Sequence, residues 1–415
     1  MATRNVASWV HDLKYTQLPP DVVRAAVQSF YNWAGCAIGG SDHEAVKIAH
    51  NALKPFFGRP SATLLGREGD NRTDPQHAAL LNGIASHVHD YDDTHLDTII
   101  HPTGPVASAL LAAAEWRSRE GTETISGKNF LLALVAGIEV ECKLGLAVWP
   151  QHYDVGWHIT STTGSVGAAV AVAKLLGLSR DKIAHAVGVA ATQVVGLREM
   201  FGSHTKSFHP GRAAQAGLMA ALLAKEGYTS SDTSLEAKRG WANVIHEDMQ
   251  KEGLKPEDIE SVHAKVHYLV LELTGKKEPK DGLQGKFSVY HGGACGLLFG
   301  KATPSQYEDS VVRNAEVIGV RDRIHAEIDD SLGADETKVV VTMNGGRTLE
   351  KHVVHAVGSM EVPLDEKRLQ EKFMDQCQRV LGEAQAGVAS KTLWAVENAE
   401  SIASITSYLA PRERQ

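Results

Sequence analysis

Residues 160–177 read TSTTGSVGAAVAVAKLLG. The run contains no proline, carries one charge at Lys174 and closes on Gly177. Its small residues Gly164, Gly167, Ala168, Ala169 and Ala171 fall on more than one face of a helix. A helix with small, uncharged residues all round belongs in the middle of a bundle, where neighbouring backbones approach closely. The segments around it follow the same pattern. Arg180–Val195 comes directly after it, Phe130–Val148 is apolar nearly all round, and Gly104–Arg117 is rich in alanine and leucine. Asp21–Ile38 lies between Pro19-Pro20 and Gly39-Gly40, and Gly211–Glu226 ends at Gly227, which are helix start and stop signals. Residues 1–246 therefore read as an all-helical domain.

The texture changes after residue 246. Leu254-Lys255-Pro256-Glu257-Asp258 is a charged connector. Ser261–Leu273 has the partly alternating look of a strand. Thr337–Met343 and Arg347–Val354 flank Asn344-Gly345-Gly346, a hairpin signal. Helical segments are expected near 286–300 and 305–325. Residues 247–362 thus form a smaller α+β domain. Two more helices, Asp365–Leu381 and Lys391–Leu409, return to complete the first domain over 363–415. The predicted fold class is mainly α, a large all-helical domain with a smaller α+β lid.

The 415 residues are 43% hydrophobic and 22% charged, the balance of a globular chain long enough for two domains. A net charge of −8 disfavours nucleic acid as a partner. No stretch approaches 18 uncharged apolar residues, so no membrane span is expected. The N-terminal MATRNVASWVHDLKYTQLPP has no apolar core of a secretory signal and no clear targeting segment, which fits a cytoplasmic or mitochondrial-matrix protein. Cys36, Cys142, Cys295 and Cys377 are scattered, which argues against a cluster or a disulfide framework and for reduced, buried thiols. Neither a Walker loop nor a Rossmann glycine pattern is present. No organic cofactor and no metal are expected.

Residues 86–104, SHVHDYDDTHLDTIIHPTG, concentrate the titratable groups: Asp90, Asp92, Asp93 and Asp97 beside His87, His89, His95 and His101. Asp90–Thr94 matches the DxDxT pattern of aspartate-nucleophile phosphatases. That motif needs a buried strand before it, and LLNGIASHV at 80–88 reads as a helix instead. His and carboxylates at short spacing also suit zinc or manganese. A solvated helix end without a role is the bland alternative. The segment leads into His101-Pro102-Thr103-Gly104 at the start of an apolar helix, and a helix N-terminus with His and Asp beside it seats an anion. Acid/base chemistry on a carboxylate is the favoured reading.

HVHDYDDTHLDTIIHPTGPVASALLAAAE resembles the signature of the MmgE/PrpD family, which includes 2-methylcitrate dehydratase and cis-aconitate decarboxylase. Gly156-Trp157-His158 with the 160–177 helix, Lys206–Ala214 (KSFHPGRAA), and Lys286–Tyr290 (KFSVY) are similar to three further family segments in the same order. The resemblance implies a cofactor-independent lyase acting on a small di- or tricarboxylic acid, and a homodimer, which the many apolar helix faces also suggest. By motif it implies Asp90, Thr94, His101, His158 and Lys206 as functional residues. Asp90, His101, His158 and Lys206 are then the catalytic candidates, since histidines move protons near neutral pH and a lysine pairs with a carboxylate. Thr94, Lys206, His209 and Arg212 are the candidate substrate contacts. The N-terminus of the 211–226 helix is expected to add backbone donors.

The chain departs from the family in one place. Leu235–Trp241 runs almost directly into Leu254–Ile259, without the lysine-bearing KPYP-type stretch expected at the start of the lid, which is therefore read as shortened. An epimerase or isomerase of a dicarboxylate, or a non-catalytic binding or scaffold paralogue, remain alternatives to dehydration and decarboxylation.

Overall fold

The computed structural model describes residues 2–69, 71–121, 124–242, 265–299, 302, 304–342, 348–355 and 363–411. The chain divides into two compact units: Met1–Met200 with His204–Gly253 and Leu369–Gln415, and Phe201–Ser203 with Leu254–Arg368.

The first unit begins with α1 (Ala2–Asp12), α2 (Pro20–Gly40) and α3 (Glu44–Leu53), then a two-stranded ribbon, β1 (Ala62–Thr63) and β2 (Arg72–Thr73). It continues through α4 (Pro75–His87), α5 (Thr103–Arg119), α6 (Gly127–Val148), the short α7 (Gln151–Asp154), α8 (Ile159–Leu175), α9 (Arg180–Ala191) and α10 (His204–Lys225). Helix α8 holds the small-residue run that begins at Thr160. It is buried from Ile159 to Ala173 and packs against α6, α9, α5 and α10. Its hydroxyls are satisfied locally, as when Thr163 donates to the Ile159 carbonyl at 2.7 Å, so a buried polar run carries no orphaned hydroxyl there.

Glycine sets the helix separations. A Cβ on Gly137 of α6 would lie 2.7 Å from the Gly167 carbonyl oxygen of α8. A Cβ on Gly83 of α4 would lie 2.5 Å from the Gly211 Cα of α10, and one on Gly211 would lie 2.4 Å from the Leu80 carbonyl oxygen. At these crossings backbone meets backbone.

Helix α10 differs from expectation. It starts at His204, and Pro210 lies inside it. Proline has no N–H, so Pro210 removes one intrahelical bond and crowds the Lys206 carbonyl. Packing of α10 against α8, α4, α9 and α5 offsets that loss. Residues 204–209 are therefore helix, and the expected N-terminus at 211 does not exist. Helix α9 stops at Ala191, short of Val195.

The second unit holds a four-stranded sheet ordered β4-β3-β5-β6, from β3 (Lys265–Val266), β4 (Glu327–Ile328), β5 (Thr337–Thr342) and β6 (Thr348–Val353). Strands β5 and β6 pair antiparallel from Thr337↔Val353 to Thr342↔Thr348, the register that the hairpin signal implies. The Asn344-Gly345-Gly346 turn and the Leu254–Asp258 connector lie outside the described residues, as does the junction read as a shortened lid entry. The expected strand over Ser261–Leu273 is corrected. Among the described residues of that span only Lys265–Val266 is strand, and α11 (Tyr268–Thr274) follows, capped by the His267 ring, which accepts from the Leu269 N–H. An apolar run this short fits either element, and the cap decides it. Short helices α12 (Gly282–Gly285), α13 (Val289–Phe299), α14 (Asp309–Val312) and α15 (Ala315–Arg321) fill the rest.

Helix α16 (Glu366–Leu381) matches its expected span. The helix expected over Lys391–Leu409 does not form as one piece. Instead α17 (Glu383–Trp394) is followed by a 3₁₀ turn at Val396–Asn398 and by α18 (Ile402–Thr406). The break lets the Gly127 N–H donate to the Ala399 carbonyl and the Ile402 N–H donate to the Ile125 carbonyl, which ties the C-terminal segment to the start of α6. All four cysteines are free and buried.

Replacing Gly83 by alanine tests the α4–α10 contact. On an exposed helix the change would stabilise by up to about 1 kcal/mol. Here the added methyl meets backbone, and overpacking is expected to destabilise by roughly 1–3 kcal/mol, read as a lower denaturant midpoint.

Candidate active site

Helix α4 ends at His87, and the chain that follows is bent tightly before α5 begins. Asp90 has φ 51° and Ile99 φ 55°. An aspartate tolerates this left-handed region, whereas a β-branched isoleucine is strained there, at about 1–3 kcal/mol. Surrounding bonds hold the bend. The His95 N–H donates to the Ile100 carbonyl at 2.7 Å, the His95 ring meets the Thr98 hydroxyl at 2.7 Å, and Ile100 is fully buried. The His101 N–H donates to the Thr160 hydroxyl on α8 at 3.1 Å, and the Thr103 hydroxyl donates to Asp93 at 2.6 Å. The bend thus brings His101 back beside His87.

Asp92 lies between these two imidazoles. The His87 Nδ1–H donates to both Asp92 oxygens, at 3.0 and 2.9 Å, and His101 Nδ1 lies 3.3 Å from Asp92 Oδ1. The rings stand edge-to-face with centroids 4.7 Å apart. Asp90 faces their other side, with Oδ1 3.7 Å from His101 Nε2 and 4.0 Å from His87 Nε2. The Lys206 ammonium, from the first turns of α10, donates to Asp90 Oδ1 at 2.5 Å. His158, which precedes α8, stacks 5.9 Å from His87, and its Nδ1 lies 2.9 Å from His209 Nδ1.

Of the residues singled out in the sequence, Asp90, His101, His158, Lys206 and His209 meet in one cluster. Thr94 is exposed, and its hydroxyl reaches His101 Nδ1 at 3.5 Å. The Arg212 guanidinium donates to Gln215 on its own helix at 2.6 Å. His87 and Asp92 stand at the centre of the cluster without having been chosen. Their signal was the five-residue spacing across a helix end, which leaves the direction of the bend undetermined.

The charges push proton affinities apart. Burial works against ionising Asp92 and Asp90. The histidines His87 and His101, joined by Lys206 at Asp90, outweigh it and hold both carboxyls below the usual range. Burial also opposes charge on His101, but Asp92 and Asp90 together raise its pKa above 6.5. Burial dominates at His158 and His87, reinforced by Lys206, and lowers both. His209 is pushed down to about 4, first by burial. Burial lifts Asp93 to about 6. The arrangement sets a protonated histidine beside neutral ones, the division of labour that acid/base catalysis needs.

One atom each from His87, Asp90, Asp92 and His101 lies within 4.8 Å of the others, a spacing that a metal ion also accepts. Lys206 already supplies a cation to that group at Asp90.

The model of the MmgE/PrpD N-terminal domain matches residues 4–253, and that of the MmgE/PrpD C-terminal domain matches residues 241–398. The chain belongs to the MmgE/PrpD family. It is 26% identical to the cis-aconitate decarboxylase-like protein oryM of Aspergillus oryzae, over 98% of this chain and 96% of that one. It is 33% identical to human cis-aconitate decarboxylase, over 58% of this chain and 49% of the human one, so that match spans about half the length of the relative. It is 25% identical to the 2-methylcitrate dehydratase of Salmonella typhimurium, over 72% of each. Decarboxylases and dehydratases are both lyases, which makes this member of the MmgE/PrpD family an enzyme of a lyase family. Among the described residues no helix is long and apolar enough to cross a membrane.

The shifts have a consequence for stability. His87, His158 and His209 have lowered folded pKa values, so the unfolded chain binds protons first as pH falls below 6.5. Stability is expected to drop from pH 6.5 towards 4. His101 is raised, so its contribution is present below 6.5 and is lost as pH rises through its folded value. Asp90 and Asp92 contribute at every pH above about 3.8 and fail only in strong acid. Asp93, raised to about 6, acts in the opposite sense between pH 6 and 3.8, but urea midpoints should still fall from pH 6.5 towards 4 because three histidines outweigh one carboxyl.

Proposed function

We propose that the protein is a cofactor-independent lyase that acts on a small di- or tricarboxylic acid of the 2-methylcitrate or cis-aconitate kind. One observation carries this reading. Asp90 is held at 2.5 Å by Lys206 in a cluster whose histidines are driven to opposite protonation states. A substrate carboxylate exchanges for Asp90 as the partner of Lys206, with His101 as a second cation beside it. Thr94 donates a further hydrogen bond at the exposed edge.

The roles follow from the local charges. His101, kept protonated by Asp92 and Asp90, donates a proton. His158, neutral and buried, accepts one or delivers one from its Nε2, while its Nδ1 is engaged by His209. In dehydration a base removes the proton on the carbon beside a carboxylate and an acid protonates the departing hydroxyl. In decarboxylation the same acid protonates the carbanion left by carbon dioxide. The reading includes a homodimer, which light scattering at micromolar concentration tests.

The measurement is proton NMR in deuterated water on a panel of citrate-, methylcitrate- and aconitate-like acids. It reports dehydration, decarboxylation and exchange together. Lys206→Ala is expected to raise KM by about 10- to 150-fold, because a charge-assisted hydrogen bond contributes about 1.5–3 kcal/mol. His158→Ala is expected to lower kcat by about 10²–10⁴-fold. Near-normal constants in both variants would remove the site. Turnover is also expected to survive exhaustive chelation. Activity that vanishes with a stoichiometric metal and returns with it would instead assign His87, Asp90, Asp92 and His101 as ligands.

A further inference from the structure

His87 is the most enclosed histidine of the cluster. Its side chain is wholly buried at the end of α4. Its two nitrogens have opposite surroundings. Nδ1 is bound to both oxygens of Asp92, whereas Nε2 has no hydrogen-bond partner. A buried ring nitrogen without a partner forfeits the water it would otherwise bind, and native interiors rarely leave such groups empty-handed. This Nε2 lies on the Asp90 side of the ring, 4.0 Å from Asp90 Oδ1. That gap is too long for a hydrogen bond, and a substrate group that replaces Asp90 as the partner of Lys206 would face this nitrogen.

Asp92 fixes which nitrogen carries the proton. An ionised carboxylate only accepts, so the nitrogen facing it must donate. The proton of neutral His87 is therefore on Nδ1, and the lone pair on Nε2 is directed at the cluster. The same carboxylate holds His101 by Nδ1 and directs its Nε2 the same way. The two rings differ in their second neighbour. His101 Nε2 is closer to Asp90, at 3.7 Å, and its surface is partly open, which suits the charged form. His87 is sealed and is flanked by His101, His158 and Lys206, which suits the neutral form.

We propose that His87 is a catalytic base of this site, with Asp92 as the positioning residue that sets the tautomers of both His87 and His101. The inference rests on the acid/base reading above and deepens it. On a hydroxy acid, His87 Nε2 takes the proton from the carbon beside a carboxylate. The C–H electron pair becomes the new C=C bond, the C–O bond breaks, and the His101 Nε2–H protonates the departing oxygen to give water. His87 ends protonated and His101 neutral, and exchange with solvent resets the pair.

Two measurements test this. Two-bond proton–nitrogen spectra of the wild-type protein labelled with 15N-histidine report the tautomer without any turnover, with the His87 signal identified by its loss in His87→Asn. The expected state at pH 7 is a proton on Nδ1 and a bare Nε2 whose resonance shifts when citrate is added. A proton on Nε2, or no response to citrate, would overturn the proposal. The kinetic arm uses His87→Asn on whichever acid the wild type turns over. The asparagine amide keeps an N–H for Asp92 and deletes only the basic nitrogen. The expected result is kcat lowered by about 10²–10⁴-fold with KM changed less than about threefold. A kcat within about fivefold of wild type would reduce His87 to a spacer. If the wild type turns over no acid, the lyase reading fails alone, and the tautomer spectra still decide the assignment of His87.

Discussion

The contact between Gly83 and Gly211 governs the site. Gly83 lies one helical turn before His87, and Gly211 lies two residues after His209 and five after Lys206. Because the two backbones touch, α4 and α10 have no freedom to slide without breaking the van der Waals contact that defines their separation. The lysine and the histidines are thus placed by a steric constraint rather than by their own attraction. That order matters physically. Ion pairs between flexible side chains rearrange readily, whereas a backbone crossing of this kind fixes the spacing of the titratable groups on the two helices, the kind of preorganisation that electrostatic catalysis depends on.

The charged groups make sense only as a set. Asp90, Asp92, Lys206 and a protonated His101 balance one another. Removing water from any one alone would be costly, and the pairings offset that loss. Neutral His158 and His87 are buried, as is the charged Asp92 side chain between the two imidazoles, while Asp90, Lys206 and His101 keep some surface. Of the two histidines that share Asp92, the one closer to Asp90, His101, has the higher proton affinity.

Most of the helical fold was legible from residue pattern, because small-residue helices such as 160–177 admit one kind of neighbour. The failures share a cause. Pro210 looked like a start because its local preference was weighed without the packing of α10. Residues 268–274 looked like a strand because a short apolar run does not distinguish the two elements. The single helix expected at 391–409 ignored the backbone pairing with Ile125 and Gly127. At the site, His101, His158, Lys206 and Asp90 were visible through their segments. His87 and Asp92 stand in the same segment, but their pairing depends on the left-handed turn at Asp90 and the strained Ile99, which no spacing rule announces.

The interior of the first unit is built largely of alanine and glycine, and this shapes how the protein can change. A core of leucine and phenylalanine fails mainly by truncation, which leaves holes. Here there is little to truncate, and nearly every substitution open to an interior alanine or glycine makes it larger. Growth meets backbone at Gly83, Gly137 and Gly211, where no side chain can turn aside. Sequence drift is thereby steered outward, to surfaces and to positions with slack. The chain shares 26% of its residues with the Aspergillus oryzae relative along almost its whole length, which leaves ample room for such outward drift.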